Sequence, residues 1–223
     1  MKQCFRNSRQ ILETAFNVLY GSQAISAVRT RTFLDVDTLR ANSLITETPS
    51  HVTVHFAERE GGPPIIRAFS SQTEKLEWIA EEIKRLVAEE YVRLSDILVL
   101  FRTDYGFKDL PALVAEKLGP DNIKGFMRVY GQSPDKESYL FREDHLTLST
   151  VASAKGYDAP VVFLADVDRY QGTPEDRALF YVEATRAKYL LYLLDEKKRG
   201  QDTLLDEIQR VQNAIERSSA PVA

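Results

Sequence analysis

Residues 146–168 read LTLSTVASAKGYDAPVVFLADVD, two strand patterns separated by a polar loop that neither strand explains. The run VVFLA at 161–165 is short, continuous and rich in β-branched residues, the pattern of a strand covered on both faces and so of a parallel sheet. Residues 146–151 predict a second strand. Between them Ser153, Ala154, Lys155, Gly156, Tyr157 and Asp158 form a small-residue loop with one cation and one anion. Ligands of open α/β sheets collect beyond the carboxyl ends of the strands, and this loop leaves its strand at that edge.

Working outward, DILVLF at 96–101 predicts another buried strand, with Arg102 leaving its carboxyl end. Upstream, residues 3–5 read as the tail of a strand followed by Arg6, and Asn7 or Ser8 can cap a helix with apolar positions Ile11, Leu12, Ala15 and Leu19. Ser71 and Glu74 make a capping-box pattern ahead of a helix with the stripe Leu76, Ile79, Ala80, Ile83, Leu86. Trp78 lies off the centre of that stripe and reads as a packing residue. Residues 111–118 predict a helix stopped by Gly119. Downstream, Thr173 caps a helix with Pro174 at its first position, 189–194 predicts a strand, and 204–215 a closing amphipathic helix.

The alternation over 51–57 and the run 65–69, joined through Glu60-Gly61-Gly62-Pro63, predict a β-hairpin, with Pro64 favouring an edge position. The order of elements predicts an α/β fold: one mostly parallel sheet with helices on both faces, plus the hairpin, in a single domain over 1–217 with a frayed tail at 218–223.

Composition limits what such a domain does. The chain has 223 residues, 43% of them hydrophobic, enough for a full core. A single cysteine, Cys4, excludes an internal disulfide, and three histidines offer no clustered zinc spacing. No apolar run has the length of a membrane span and no signal-peptide pattern opens the chain, so a cytoplasmic setting without membrane partners is expected. The net charge is −4, so contact with nucleic acid has to be local.

Arg6, Arg102, Arg186 and Lys155 all fall at predicted strand ends or on helices that follow them, a placement suited to an anionic ligand. The alternative for Arg186 is an i,i+3 ion pair with Glu183, and for Arg6 a solvated arginine beside a helix start. Asp166 ends an apolar strand as a magnesium-holding acid does. Yet no G-x-x-x-x-G-K-[ST] occurs in the 223 residues, so no loop here can cradle a triphosphate with its own lysine.

Four segments together resemble one family. CFRNSRQI at 4–11 resembles motif IV of UvrD/Rep-like superfamily 1 helicases, residues 146–164 resemble motif V, YVEATRAK at 181–188 resembles motif VI, and DILVLFRT at 96–103 is similar to a strand between motifs IV and V. Their order is that of the second RecA-like domain, often called 2A, a P-loop NTPase-type fold.

The resemblance implies roles. Arg6 and Arg186 match arginines that reach the γ-phosphate of ATP held mainly by the first RecA-like domain. Asp158 matches a glutamate near the nucleotide ribose, with Gly156 permitting a close turn. Arg102, Thr150 and Lys155 match positions that contact the DNA backbone or couple it to the nucleotide. The implied cofactors are ATP and Mg2+, both bound mainly by an upstream domain. The implied partners are single-stranded DNA or a duplex junction, bound without sequence preference, and that upstream first RecA-like domain.

The chain departs from the family at Ala152, where histidine is usual, at Tyr157-Asp158-Ala159, where leucine-glutamate-phenylalanine is usual, and in lacking the 2B insertion between Arg102 and Thr150. The expectation is the C-terminal motor domain of an ATP-dependent DNA helicase or translocase, inactive without an upstream Walker A and B domain. A RecA-like adaptor that binds DNA or protein without catalysis is the competing reading.

Overall fold

The structure is a computed structural model that describes residues 7–20, 36–57, 59–103, 106–129, 142–154, 156–196 and 204–219. In chain order its elements are Arg9–Tyr20 (α1), Val36–Ala41 (α2), Ile45–Glu47 (β1), Val52–Val54 (β2), Ile65–Phe69 (β3), Gln72–Ala88 (α3), Ile97–Phe101 (β4), Gly106–Leu118 (α4), Gly125–Val129 (β5), His145–Thr150 (β6), Ala159–Leu164 (β7), Pro174–Ala184 (α5), Ala187–Glu196 (β8) and Leu204–Ser219 (α6). They fall into two compact units, one of residues 1–66, 170–191 and 200–223, the other of 67–169 and 192–199. The chain passes between the units inside β3, inside β8 and at two further points.

A six-stranded sheet has the order β3-β8-β7-β4-β6-β5. β4 pairs in parallel with β6 and with β7, and β5 pairs in parallel with β6. All five residues of β4 are buried, as the run ILVLF demands. β3 lies at the sheet edge, where the residue after Pro64 can start a strand without a missing donor.

α3 packs the second unit through Leu76, Ile79, Ala80, Ile83 and Leu86, all buried, each worth about 1.5–3 kcal/mol except the smaller alanine. Ser71 caps it by accepting from the Glu74 N–H at 3.2 Å, while the Glu74 carboxylate turns back to the Ser70 N–H and hydroxyl. Trp78 is a packing residue, edge-on to Tyr192, tilted against Phe69 and covered by the Arg67 guanidinium; Tyr192 in turn stacks on Phe163 at 4.2 Å. α4 begins earlier than the expected 111, because Pro111 is tolerated within the helix, and stops at Gly119, whose φ of +85° favours glycine.

In the first unit, Leu12, Phe16 and Tyr20 of α1 form a buried cluster with Ile45, Val52, Val54 and Phe56. Here the predicted hairpin is corrected. β2 pairs antiparallel with the preceding β1, Val52 opposite Glu47 and Val54 opposite Ile45, and β3 joins the main sheet instead. The turn is Thr48 to His51, tied by the Thr48 N–H and hydroxyl to the His51 carbonyl. The outward-facing polar groups of β2 go to α1: Asn17 exchanges two hydrogen bonds with Val52 at 2.7 and 2.8 Å, and Glu13 accepts from the Val54 N–H at 3.0 Å. Buried Arg177 of α5 forks onto Glu207 of α6 and donates to the Val18 carbonyl at the end of α1. Among the described residues no helix is long and apolar enough to cross a membrane.

Candidate functional site

In the first unit the described residue after Arg6 is Asn7, and it does not cap α1. Its side-chain amide donates to the Thr185 carbonyl at 2.7 Å and to the Ala187 carbonyl at 2.7 Å, so it grips the backbone on both sides of Arg186. The next residue continues the join, the Ser8 N–H donating to the Lys188 carbonyl at 3.0 Å. Residues 7–8 and 185–188, far apart in sequence, are thereby fixed to one another.

Arg186 itself lies just past the end of α5. Its N–H donates to the Glu183 carbonyl at 2.9 Å and its Nε to the Val182 carbonyl at 2.8 Å. The Thr185 hydroxyl adds a bond of 2.8 Å to the Tyr181 carbonyl, so the last carbonyls of the helix are met by the residues that follow it. Glu183 is buried and accepts from the Tyr170 hydroxyl.

A strap of residues 59–61 lies against the start of α1. The Arg9 N–H donates to the Arg59 carbonyl at 2.7 Å, the Gly61 N–H to Gln10 Oε1 at 2.9 Å, and Arg9 and Gln10 both engage Glu60. The Arg59 guanidinium sits 4.7 Å from the centre of the half-exposed Tyr189 ring. Gly61 is required by space, since a Cβ there would lie 2.6 Å from Ser8 Cβ.

In the second unit Arg102 and Thr150 sit together, just beyond and at the carboxyl ends of adjacent strands: Phe101 of β4 is opposite Thr150 of β6, and the Val151 N–H donates to the Phe101 carbonyl at 3.0 Å. The Thr150 hydroxyl donates to Ser153 Oγ at 3.0 Å and its carbonyl accepts from the Ser153 and Ala154 N–H groups, closing a tight turn. Gly156 has φ +95°, a conformation that favours glycine even though the space beside it is open.

Asp158 does not share the edge of Thr150. It directly precedes β7, and with Val161 opposite Ile97 of β4 it lies at the amino-terminal edge. That sets the two roughly 20 Å apart along the strand direction, at about 3.3 Å per residue. The loop that leaves one edge of the sheet thus re-enters at the other.

Asp166 is committed to structure. Its Oδ2 accepts from the Arg102 N–H at 2.9 Å and its Oδ1 pairs with Lys75 Nζ at 3.2 Å, with Asp168 3.9 Å from the same ammonium. Burial pushes the Asp168 carboxyl up from its ordinary pKa, with Lys75 opposing. Sequence reading missed Asn7 as a clamp and Lys75 as the partner of Asp166, because both contacts cross long stretches of chain. Among the described residues no three or more His, Cys, Asp or Glu side chains are grouped to hold a metal ion. Arg6 and Lys155 lie outside the described residues.

The stretch from His145 to Leu194 spans β6, its turn, β7, α5 and most of β8. Residues 145–194 match the UvrD-like helicase C-terminal domain. This UvrD-like segment contains Thr150, Lys155, Gly156, Asp158 and Arg186, whereas Arg6 and Arg102 precede it. No curated protein matches the chain. Among solved structures, the chain is similar to the C-terminal domain of a possible DNA helicase from Lactobacillus plantarum WCFS1, with a TM-score of 0.55 and 13% identity over 92% of this chain and 93% of that one. At that identity the likeness establishes the fold, a RecA-like α/β sheet. A lower likeness, TM-score 0.44 and 11% identity over 94% of this chain and 32% of the other, is to the DUF1998 helicase MrfA bound to DNA and AMPPNP.

Proposed function

We propose that this chain serves as the second RecA-like motor domain of an ATP-dependent DNA helicase or translocase, with Arg186 and Arg6 as arginine fingers. The observation that supports it most is the Asn7 clamp, which joins the start of the motif IV helix to the motif VI turn inside the UvrD-like segment. An adaptor that only binds would gain nothing chemical from holding an arginine between two fixed carbonyls.

In this reading the residues of the chain stabilise charge rather than hold the nucleotide. ATP and Mg2+ rest mainly on a first RecA-like domain, since the 223 residues contain no phosphate loop. Bound there, the ion neutralises charge developing on the transferred phosphoryl group. A guanidinium meets such an anion in a fixed fork and is always charged. Gly156 and Asp158 approach the nucleotide ribose, while Arg102, Thr150 and Lys155 meet the backbone of single-stranded DNA or a duplex junction. Phosphate contacts carry no sequence information, so binding is non-specific and weakens with salt.

The test is DNA-stimulated ATP hydrolysis by the full-length protein. Arg186→Ala is expected to lower kcat by about 10³-fold or more while the KM for ATP changes little, because an arginine finger acts in the transition state. Unchanged turnover in that variant would leave the adaptor reading standing.

A further inference from the structure

We propose that Asn7 is a positioning residue that sets the orientation of Arg186, an inference that rests on the arginine-finger reading. Asn7 is 3% exposed, and its single side-chain nitrogen is shared between two carbonyls, each at 2.7 Å, belonging to the residues immediately before and after Arg186. An asparagine amide carries two N–H donors on one atom, so both bonds can be made at full strength. Serine, threonine and aspartate, the other common residues at helix starts, have at most one donor.

The effect on Arg186 is local and geometric. With the Thr185 and Ala187 carbonyls held by one group, the peptide unit entering Arg186 and the one leaving Ala187 are tied together, so the backbone through Arg186 cannot swing freely. The Arg186 N–H is fixed to Glu183 and its Nε to Val182 at 2.8 Å, so the root and the neck of the side chain are held from α5 while the backbone on either side is held from the start of α1. The Thr185 side chain is also engaged, its hydroxyl reaching the Tyr181 and Val182 carbonyls at 2.8 and 3.1 Å. Losing Asn7 removes a constraint that comes from outside the 181–187 turn. A finger displaced by about 1 Å loses roughly 100-fold in rate. The arginine keeps its charge in such a variant; what it loses is its aim.

The experiment is a double-mutant cycle on DNA-stimulated ATP hydrolysis by the full-length protein, with Asn7→Ala, Arg186→Ala and the pair. Asn7→Ala is expected to lower kcat about 10- to 100-fold with the KM for ATP within about twofold. In the Arg186→Ala background the same change should have no further effect on kcat, because the residue it positions is gone. Equal losses in both backgrounds would assign Asn7 to general stability and overturn the inference, with the finger role of Arg186 intact. If Arg186→Ala itself keeps full turnover, the finger reading fails first and Asn7 has nothing to position. Thermal unfolding identifies which variants are folded at the assay temperature; Asn7→Ser, which retains one donor, replaces Asn7→Ala in the cycle if alanine does not fold. Failure of both to fold would equally overturn a positioning role.

Discussion

Lys75 Nζ lies 3.2 Å from Asp166 Oδ1, and both side chains are only 1% exposed. An ion pair taken this far out of water is held by its geometry, and Asp166 completes it by accepting from the Arg102 N–H at the end of β4. The acid just beyond β7 is therefore a brace under the strand end that carries Arg102.

Removing one member of that pair leaves a buried charge without its partner. Lys75→Met is expected to cost about 3–5 kcal/mol in urea unfolding. Adding Asp166→Asn should recover much of the loss, because the amide oxygen can still accept from Arg102 while carrying no charge. A single-variant cost below about 1 kcal/mol would show that the pair is not the brace described.

Glu13 supplies a pH signature. Burial raises its pKa above the ordinary carboxylate value, with the Val54 N–H and the charges of Arg9 and His55 opposing. As pH rises through that interval the unfolded chain releases the proton first, so the folded state loses stability and the loss persists above the raised pKa. Glu13→Gln removes the titration and retains an oxygen for Val54. Its stability relative to the wild type should improve as pH rises above the ordinary carboxylate range of about 4; a difference that stays flat or moves the other way refutes the assignment.

Gly61 and Gly62 separate a steric requirement from a merely flexible turn. A Cβ at 61 would meet Ser8 Cβ at 2.6 Å, whereas one at 62 meets nothing within 4 Å. Gly61→Val should cost about 1–3 kcal/mol and Gly62→Val less than about 0.5 kcal/mol in thermal unfolding. Equal effects would show that the strap does not press on the start of α1.

Arg102 provides the nucleic-acid test. In the proposed function its guanidinium meets a DNA phosphate, so Arg102→Ala should weaken binding to labelled single-stranded oligonucleotides of every sequence tested and reduce the magnitude of the slope of log K against log salt by about 1. An unchanged slope in fluorescence anisotropy titrations takes Arg102 off the DNA track.

What could be read from sequence was what local chemistry decides. The caps at Ser71 and Thr173 were legible because a hydroxyl binds an N–H three residues on, and the structure has both, with Glu74 and Asp176 as the donors. β7 was legible as a β-branched-rich apolar run, β4 as a further buried apolar run and β6 as a strand pattern beside the polar loop, and all three are strands of the sheet. The hairpin was misplaced because Gly61 and Gly62 suggested a turn, whereas the true partner of β2 is a strand of three residues, too short to show alternation. Asn7 was legible only as a helix cap, since nothing near it in sequence reveals acceptors 178 and 180 residues away.

The side chains that α1 turns toward β2 have a further effect. Asn17 and Glu13 occupy the main-chain donors and acceptor of Val52 and Val54 that point away from β1. A two-stranded ribbon normally exposes such groups as a template on which a neighbouring molecule can add a strand. Here the helix stands in for that third strand at Val52 and at the Val54 N–H, so those rungs are already taken before a neighbour could climb them.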